Sequence, residues 1–361
     1  MDVTIIANDY SLINGGVEYH AEVLLREFNK FKLRATRVTY NNIFTKFRDL
    51  RKSNILIFEG IRRIHLLFMF LFERELLRKV VIFTHGSFMY YTRSEELKKI
   101  GYFNPLIPFW SIFDSLLTNP ILRQVVKVIT LSSTEKSEVI QAFQLANDKV
   151  GVIDNFVSSS SRDFISEKEK NRSTVFLEFL EAKKPYVCTV SRIDKRKNIK
   201  SAVGATHQLK LNYILAGKDQ GGLKPILRVV RKLSVNSFIY LGKISDYDKF
   251  ALISNSIGYI QPSFFEMVPF SVYEALSLGT PVLLTKLSYI GTLPNVITCD
   301  PDIPSIKIGL SELIKMSSRG ADLKSLVNVH LKSPNDIFND FISSIGQLGT
   351  LLHHTMIDPP L

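Results

Sequence analysis

The chain has 361 residues, long enough for two domains, and its 45% hydrophobic and 22% charged content is ordinary globular composition, which excludes a disordered, collagen-like or disulfide-stapled chain. A formal net charge of +12 favours acidic partners (nucleic acid, anionic lipid headgroups or phosphorylated substrates) without choosing among them. The two cysteines, Cys188 and Cys299, lie in or beside apolar strand-like runs and read as buried reduced thiols, one long-range disulfide being the alternative, and no spacing suits a metal.

The opening Met-Asp-Val-Thr-Ile-Ile-Ala reads as a strand over Val3–Ala7 rather than a signal peptide, since no basic segment precedes it. Val17–Phe28 follows as a helix with Val17, Ala21, Leu24, Leu25 and Phe28 on one face. Ile55–Phe58 and Val80–Thr84 read as strands. Between them, Ile64 to Phe72 is the most apolar stretch. It is broken by His65, flanked by Arg62, Arg63 and Arg74, and well short of the roughly 20 residues of a membrane span, so no transmembrane helix is expected. Val126–Leu131 is a strand, Thr134–Phe143 a helix capped by Ser132 or Ser133, and Val150–Ile153 a strand. Ser158–Ser161 and the charged run Ser166–Ser173 read as an exposed linker.

The alternation then restarts. Strands are expected at Tyr186–Val190, Leu211–Ala216, Phe238–Leu241, Ile257–Gln261, Pro281–Thr285 and Val296–Thr298. Helices are expected at Ile199–Gln208, Ile226–Leu233, Tyr247–Ser254 and Phe270–Leu278. The expected fold class is α/β, two doubly wound Rossmann-like domains facing across a cleft, with ligands at the carboxyl ends of the strands. The expected divisions are 1–157, a linker at 158–174, 175–332, and a C-terminal helix within 333–361.

Four segments carry candidate chemistry. In Gln261-Pro-Ser-Phe-Phe-Glu-Met-Val-Pro-Phe-Ser-Val-Tyr-Glu, a strand ends, a loop carries Glu266, a helix starts near Pro269, and Glu274 follows in its second turn. Two carboxylates bracketing a helix N-terminus accept hydrogen bonds from hydroxyls such as those of a sugar, or else stabilise the helix dipole. In Val190-Ser-Arg-Ile-Asp-Lys-Arg-Lys-Asn, the Arg192 fork and the Lys197 point charge at a strand mouth suit a diphosphate and the charge that builds on it as a sugar leaves. Lys195 and Arg196 read as a solvated basic loop. Gly15 and Gly16 form either a phosphate-approaching turn or a plain one, with no full dinucleotide fingerprint. His85 ends a strand, as a cleft-facing group or a structural histidine.

In that order and spacing, these segments resemble glycosyltransferase family 4, a retaining family of GT-B fold. The resemblance rests on Gly15-Gly16-Val17-Glu18, Asp148 to Val157, Arg192 with Lys197-Asn198, Leu215-Ala-Gly, Tyr240-Leu-Gly-Lys and the two glutamates separated by seven residues. It implies an acceptor-side N-terminal domain, a donor-binding C-terminal domain and a last helix crossing back to the first. It implies that Arg192 and Lys197 hold the donor diphosphate, Glu274 the ribose hydroxyls and Glu266 those of the sugar. Gly15, Gly16, Met267, Val268, Pro269 and Phe270 would line the donor, Gly242 and Lys243 would border the base, and His85 would lie near the reacting face. His85, Glu266, Arg192 and Lys197 are thus the catalytic candidates. The resemblance further implies transfer of a hexose from a UDP- or GDP-sugar, with no cofactor and no metal. Asp246-Tyr-Asp248 and Asp300-Pro-Asp302 then read as structural. Met267, Ser191 and Asn198 depart from the family's glycines. No nucleophile for a double displacement stands out, which favours front-face attack with the departing phosphate taking the acceptor's proton.

The aromatic insert Tyr102 to Leu117, with Tyr102, Phe103, Phe109, Trp110 and Phe113 near Arg62 and Arg63, suits either a membrane interface with a glycan or lipid-linked acceptor or a core helix beside a solvated basic patch. The expected location is cytoplasmic, peripheral at the membrane face in the first case. The rival readings are a nucleic-acid-modifying glucosyltransferase and a non-catalytic sugar-nucleotide-binding protein.

Overall fold

The computed structural model describes residues 2–8, 16–31, 33–100, 109, 112–157, 174–267, 269–288, 293–318 and 332–345. By its contacts the chain divides into two units, Met1–Asn155 with Lys332–Leu361, and Phe156–Leu331. The expected linker residues 158–173 lie outside the described residues.

Unit one is built on a six-stranded parallel sheet in the order β2-β1-β3-β4-β5-β6. The strands are β1 (Asp2–Ala7), β2 (Arg34–Thr39), β3 (Ile55–Glu59), β4 (Val80–Phe83), β5 (Lys127–Thr130) and β6 (Val150–Val152). Strands covered on both faces must be apolar throughout, and Ile55, Leu56, Ile57 and Phe58 are fully buried. The helices that concern the site are α1 (Gly16–Lys30), α2 (Arg63–Phe72) and α3 (Ser133–Phe143). Ser132, not Ser133, caps α3, accepting from the Glu135 N–H at 3.1 Å. Strand β2 has no counterpart among the expected elements. Its Arg-Ala-Thr-Arg-Val-Thr lies at the sheet edge and is only partly buried, so no apolar run announces it.

Unit two has a second six-stranded parallel sheet, β9-β8-β7-β10-β11-β12. Its strands are β7 (Tyr186–Val190), β8 (Asn212–Ala216), β9 (Phe238–Tyr240), β10 (Gly258–Gln261), β11 (Val282–Thr285) and β12 (Val296–Cys299). Helices α4 (Ile199–Gln208), α5 (Asp246–Ser254), α6 (Phe270–Ser277) and α7 (Ile303–Ser317) cover it. The last was not expected. It packs on α4 where Gly204 leaves room for Ile303, since a Cβ there would stand 2.9 Å from the Ile303 side chain. Cys188 and Cys299 are both buried and free, and burial pushes each thiol up to about 12.

The final described helix, α8 (Pro334–Ser344), belongs to unit one. A capping box formed by Ser333 and Asp336 starts it. It packs on α1 through Phe338, stacked on Phe31 with ring centroids 4.5 Å apart and edge-on to Phe28 at 5.2 Å.

In both units, strand order reverses beside a central strand: between β1 and β3 in unit one, and between β7 and β10 in unit two. In open parallel sheets, ligands bind beyond the carboxyl ends of the strands at such a switch point.

Candidate functional site

In unit two, β7 runs out at Val190 into Ser191 and Arg192. Two glycines fix this path. Gly217 has φ +136°, and a Cβ there would stand 1.8 Å from the Ser191 carbonyl oxygen; a Cβ on Gly222 would stand 2.7 Å from that of Ile193. No other residue lets the β8 loop lie so close. Asp194 then caps the turn Lys195–Lys197, accepting from the Arg196 and Lys197 N–H groups at 2.8 and 3.2 Å. Asn198 follows at φ +50°, a left-handed position that asparagine tolerates, which accounts for its standing where the resembled family has glycine. Its amide donates to the carbonyls of Pro262 at 3.0 Å and Pro301 at 2.7 Å, tying together the loops after β10 and β12.

These turns bring Lys197 to Glu266. The Lys197 Nζ donates to Glu266 Oε1 at 2.6 Å and Arg196 Nη1 to Oε2 at 3.2 Å. Gln261 Nε2 donates at 2.8 Å, and the Ser263 hydroxyl also reaches the carboxylate. Burial alone would raise the Glu266 carboxyl, but the charges of Lys197 and Arg196 and the hydrogen bonds from Lys197 and Ser263 outweigh it and hold it at about 2. Burial pulls the Lys197 ammonium below its ordinary value against the attraction of Glu266. The 2.6 Å contact and the further donors on Glu266 place the pair in its ionised form. Arg196 is therefore no solvated loop residue; its side chain is 19% exposed because Glu266 and the Phe265 carbonyl hold it down. Among the described residues, Arg192 makes no ion pair and is left as a cation at the mouth of β7.

Glu274, in α6, accepts from Lys249 Nζ at 2.9 Å, and Lys249 also meets Asp246 at 3.0 Å. Burial would lower the Lys249 ammonium, yet Glu274 and Asp246 raise it. Pro269 is the N-cap of α6, with φ −72° and ψ 125°, rather than its first helical residue. Met267, Pro269 and Phe270 are half-buried around this helix start, and Phe270 packs on Phe156 at 5.1 Å. Gly242 has φ +72° with open space around it, and Lys243 is exposed. Gly242 therefore serves the turn, its carbonyl accepting from Gly217 N–H at 2.7 Å. Of the Asp-x-Asp pairs, Asp246 opens α5 behind the Ser245 cap, and Asp302 caps α7.

In unit one, His85 lies just past β4. Its Nε2 meets Glu59 Oε2 at 2.6 Å, and His20 Nδ1, from α1, meets the same carboxylate at 3.0 and 3.1 Å. Glu59, the last residue of β3, is buried and held at about 2, the two imidazoles overcoming the penalty of burial. Among the described residues, this is the one group of three metal-ligating side chains, its ligand atoms lying within 4.8 Å of one another. Two ligands of a tetrahedral zinc with bonds of about 2.0–2.1 Å stand roughly 3.3 Å apart. The separations of His85 and His20 from Glu59, 2.6 to 3.1 Å, are those of hydrogen bonds. Gly16 is the exposed first residue of α1.

The acceptor candidates part company. Arg63 is not available to an acceptor surface: its guanidinium grips the carboxylate of buried Asp114, with Nε to Oδ1 at 2.6 Å, and its side chain is 15% exposed. Arg62 is exposed, bound to Asn8 and lying 5.1 Å over the Tyr40 ring. Phe109 is exposed. Gly15, Tyr102, Phe103, Trp110 and Val268 lie outside the described residues. Sequence reasoning missed Arg196, Gln261, Ser263, Lys249, Glu59 and His20. A polar residue closing an otherwise apolar strand was the available signal for Glu59 in Ile-Leu-Ile-Phe-Glu and Gln261 in Gly-Tyr-Ile-Gln.

Residues 173–296, which contain every unit-two candidate named above, match the family described as Glycosyl transferases group 1. The O-antigen chain mannosyltransferase B of Escherichia coli is 26% identical over 177 residues, 47% of this chain and 45% of that protein, so the match spans less than half the length of this curated relative. The fold is similar to that of sucrose-phosphate synthase from Thermosynechococcus elongatus, with a TM-score of 0.72 at 12% identity over 99% of both chains. It is also similar to that of an Anabaena protein solved with UDP and glucose, with a TM-score of 0.68 at 14% identity over 98% of this chain and 100% of that one. The two six-stranded parallel sheets with their helices are those of the GT-B architecture, and together the comparisons support a glycosyltransferase of that type.

Proposed function

We propose that the chain is a retaining glycosyltransferase that moves a hexose from a UDP- or GDP-sugar to a glycan or lipid-linked acceptor. The observation that carries this reading is the cluster of Arg192, Arg196, Lys197 and Glu266 beyond β7 and β10, at the switch point of unit two and inside the matched segment. Lys197 and Arg196 face Glu266, Asp194 caps their turn, and Arg192, with no ion pair among the described residues, adds the cation that suits a diphosphate. Arg192 forks onto phosphate oxygens while Lys197 offsets the charge that grows as the glycosidic bond breaks. This leaves the reaction no need of a metal. Glu266 and Glu274 exchange their lysine contacts for sugar and ribose hydroxyls. With no carboxylate assigned as nucleophile, attack comes from the face of the leaving group, whose phosphate takes the acceptor's proton. A glycosyl-enzyme adduct on any carboxylate would overturn that step.

The test is thermal shift and calorimetry with UDP, GDP, ADP and their sugar conjugates on the wild type, Arg192→Ala and Glu274→Ala. A diphosphate that stabilises the wild type and neither variant supports the donor site and names the base. No response to any nucleotide at saturation would remove it.

Peripheral membrane contact is favoured by one surface of unit one. On α2, Ile64, Leu71 and Phe72 are exposed, and Ile112 and Leu116, close to the Arg63–Asp114 contact, are exposed as well. The rings of Phe44, Phe68 and Phe72 lead out to this surface at successive spacings of 5.0 and 4.9 Å. Exposed Arg48, Arg62, Arg74 and Arg78 accompany them. Exposed apolar side chains on a helix flanked in sequence by exposed Arg62 and Arg74 suit an anionic headgroup layer. No helix among the described residues is long and apolar enough to cross a membrane. Flotation with anionic liposomes tests the contact, and failure to float with them would sink it.

A further inference from the structure

We infer that Glu59, steadied by His20, is a positioning residue that fixes the tautomer and aim of the His85 imidazole. This inference rests on the proposed transfer reaction only for what His85 does, not for how it is held.

Three observations carry it. First, Glu59 is ionised and therefore accepts only, so both imidazoles must present N–H to it: His85 through Nε2 and His20 through Nδ1. A neutral His85 with its proton on Nε2 has its lone pair on Nδ1, the one ring nitrogen left for a ligand. Second, the backbone at His85 is bent to a purpose. His85 and Gly86 have φ of +45° and +67°, and the Ser87 N–H closes the turn onto the Thr84 carbonyl at 2.8 Å. Two successive left-handed residues make a tight turn that few side chains enter freely, histidine being among those that tolerate it and Gly86 suiting the second position. Third, buried Glu135 holds that turn from both sides of His85. It accepts from the Thr84 hydroxyl at 2.6 Å and from the Gly86 N–H at 2.9 Å, and its other oxygen accepts from Leu131 N–H at 2.9 Å. One carboxylate thus fixes the ring and another fixes the backbone that carries it. His20 comes from α1 and Glu59 from β3, so the clamp spans the switch point of unit one. Phe83 packs against His20 at 4.8 Å and closes its apolar side.

Glu59→Gln is the informative change, since it keeps shape but breaks the hydrogen-bond logic. The amide oxygen can accept from one imidazole, but the amide nitrogen donates, so the other ring must turn a lone pair toward it. The tautomers are read by nitrogen-resolved NMR of 15N-histidine-labelled full-length protein, with His85→Asn and His20→Asn assigning the two signals. Transfer kinetics and nucleotide-diphosphate binding are measured beside it. The expected result for Glu59→Gln is a changed protonation pattern at one of the two rings, kcat lower by about 100-fold, and nucleotide affinity within about twofold of wild type. Glu59→Asp, which keeps a carboxylate, is expected to restore the wild-type tautomers and at least about tenfold of the lost rate. Wild-type kcat in Glu59→Gln, or unchanged tautomers at both rings, would overturn the inference. If the wild type neither binds a nucleotide nor transfers a sugar, the transferase reading falls while the NMR comparison still decides how His85 is held.

Discussion

Each unit sets a buried glutamate at or beyond the carboxyl end of a strand at its switch point, and the partners of the two glutamates differ in kind. Glu59 is held by two imidazoles, whose hydrogen bonds depend on where each proton sits. Glu266 is held by a lysine and an arginine, which meet it as cations whatever the position of any one proton on a ring. The same place in a sheet is thus used for directional hydrogen bonding in unit one and for standing positive charge in unit two. A topology supplies the place; the residues on the loops after the strands decide what the place can bind.

The largest expected effect is on the backbone that presents the cations. Gly217→Ala drives a methyl into the Ser191 carbonyl at a φ that alanine avoids, and should destabilise unit two by about 3–5 kcal/mol. Calorimetry should show the unit-two transition lowered while that of unit one stays in place. Next, Lys197→Met removes the shortest contact to Glu266 and leaves a buried carboxylate with less charge to answer it. A loss of about 3 kcal/mol is expected on denaturant titration, with sugar transfer down by about 100-fold or more. Retention of activity by this variant would erase the contrast between the units.

Acid sharpens the contrast. Both glutamates have folded values of about 2, below the roughly 4.3 of an unfolded glutamate. Their stabilisation is therefore complete above about pH 5 and is lost as pH falls from there toward 2. Glu266→Gln should flatten the acid limb of the unit-two transition and Glu59→Gln that of unit one, each leaving the other unit's limb unchanged. A smaller effect is expected at Arg192, which makes no ion pair among the described residues. Arg192→Ala should leave the thermal midpoint within about 1 °C while weakening nucleotide-diphosphate binding by about 10- to 100-fold, the worth of a charged hydrogen-bonded contact. Smallest of all, Asn198→Gly keeps the left-handed turn but frees the Pro262 and Pro301 carbonyls, a cost of about 1–2 kcal/mol read by denaturant titration.

The sequence made some of this visible and hid the rest for physical reasons. Buried parallel strands such as Ile55–Glu59 and Val80–Phe83 announce themselves by unbroken apolar runs, and helix α3 by its serine cap and first-turn Glu135. Strand β2 does not, because an edge strand with one face toward solvent has no such run. Arg192, Lys197 and Glu266 stand out by residue type at strand ends, and the structure brings Lys197 and Glu266 into contact. Arg196 could not be told from its exposed neighbour Lys195, since only the packing of the Phe265–Glu266 loop decides which of two adjacent cations turns inward. Glu59, His20 and His85 lie far apart in the chain, and nothing local marks them as partners. Arg63 shows the converse error: a cation beside an apolar stretch looks like a headgroup ligand until Asp114, 51 residues on, claims it.

The return of α8 to unit one bears on how the protein emerges from a ribosome. Phe28, Phe31 and Phe83 face Phe338 and Phe341, residues translated only after the whole of unit two. Of the two units, the one whose synthesis starts earlier is therefore the later to be finished. Until its last helix arrives, it carries an uncovered aromatic face through the synthesis of its neighbour, the interval in which a nascent chain is most exposed to aggregation and to chaperones.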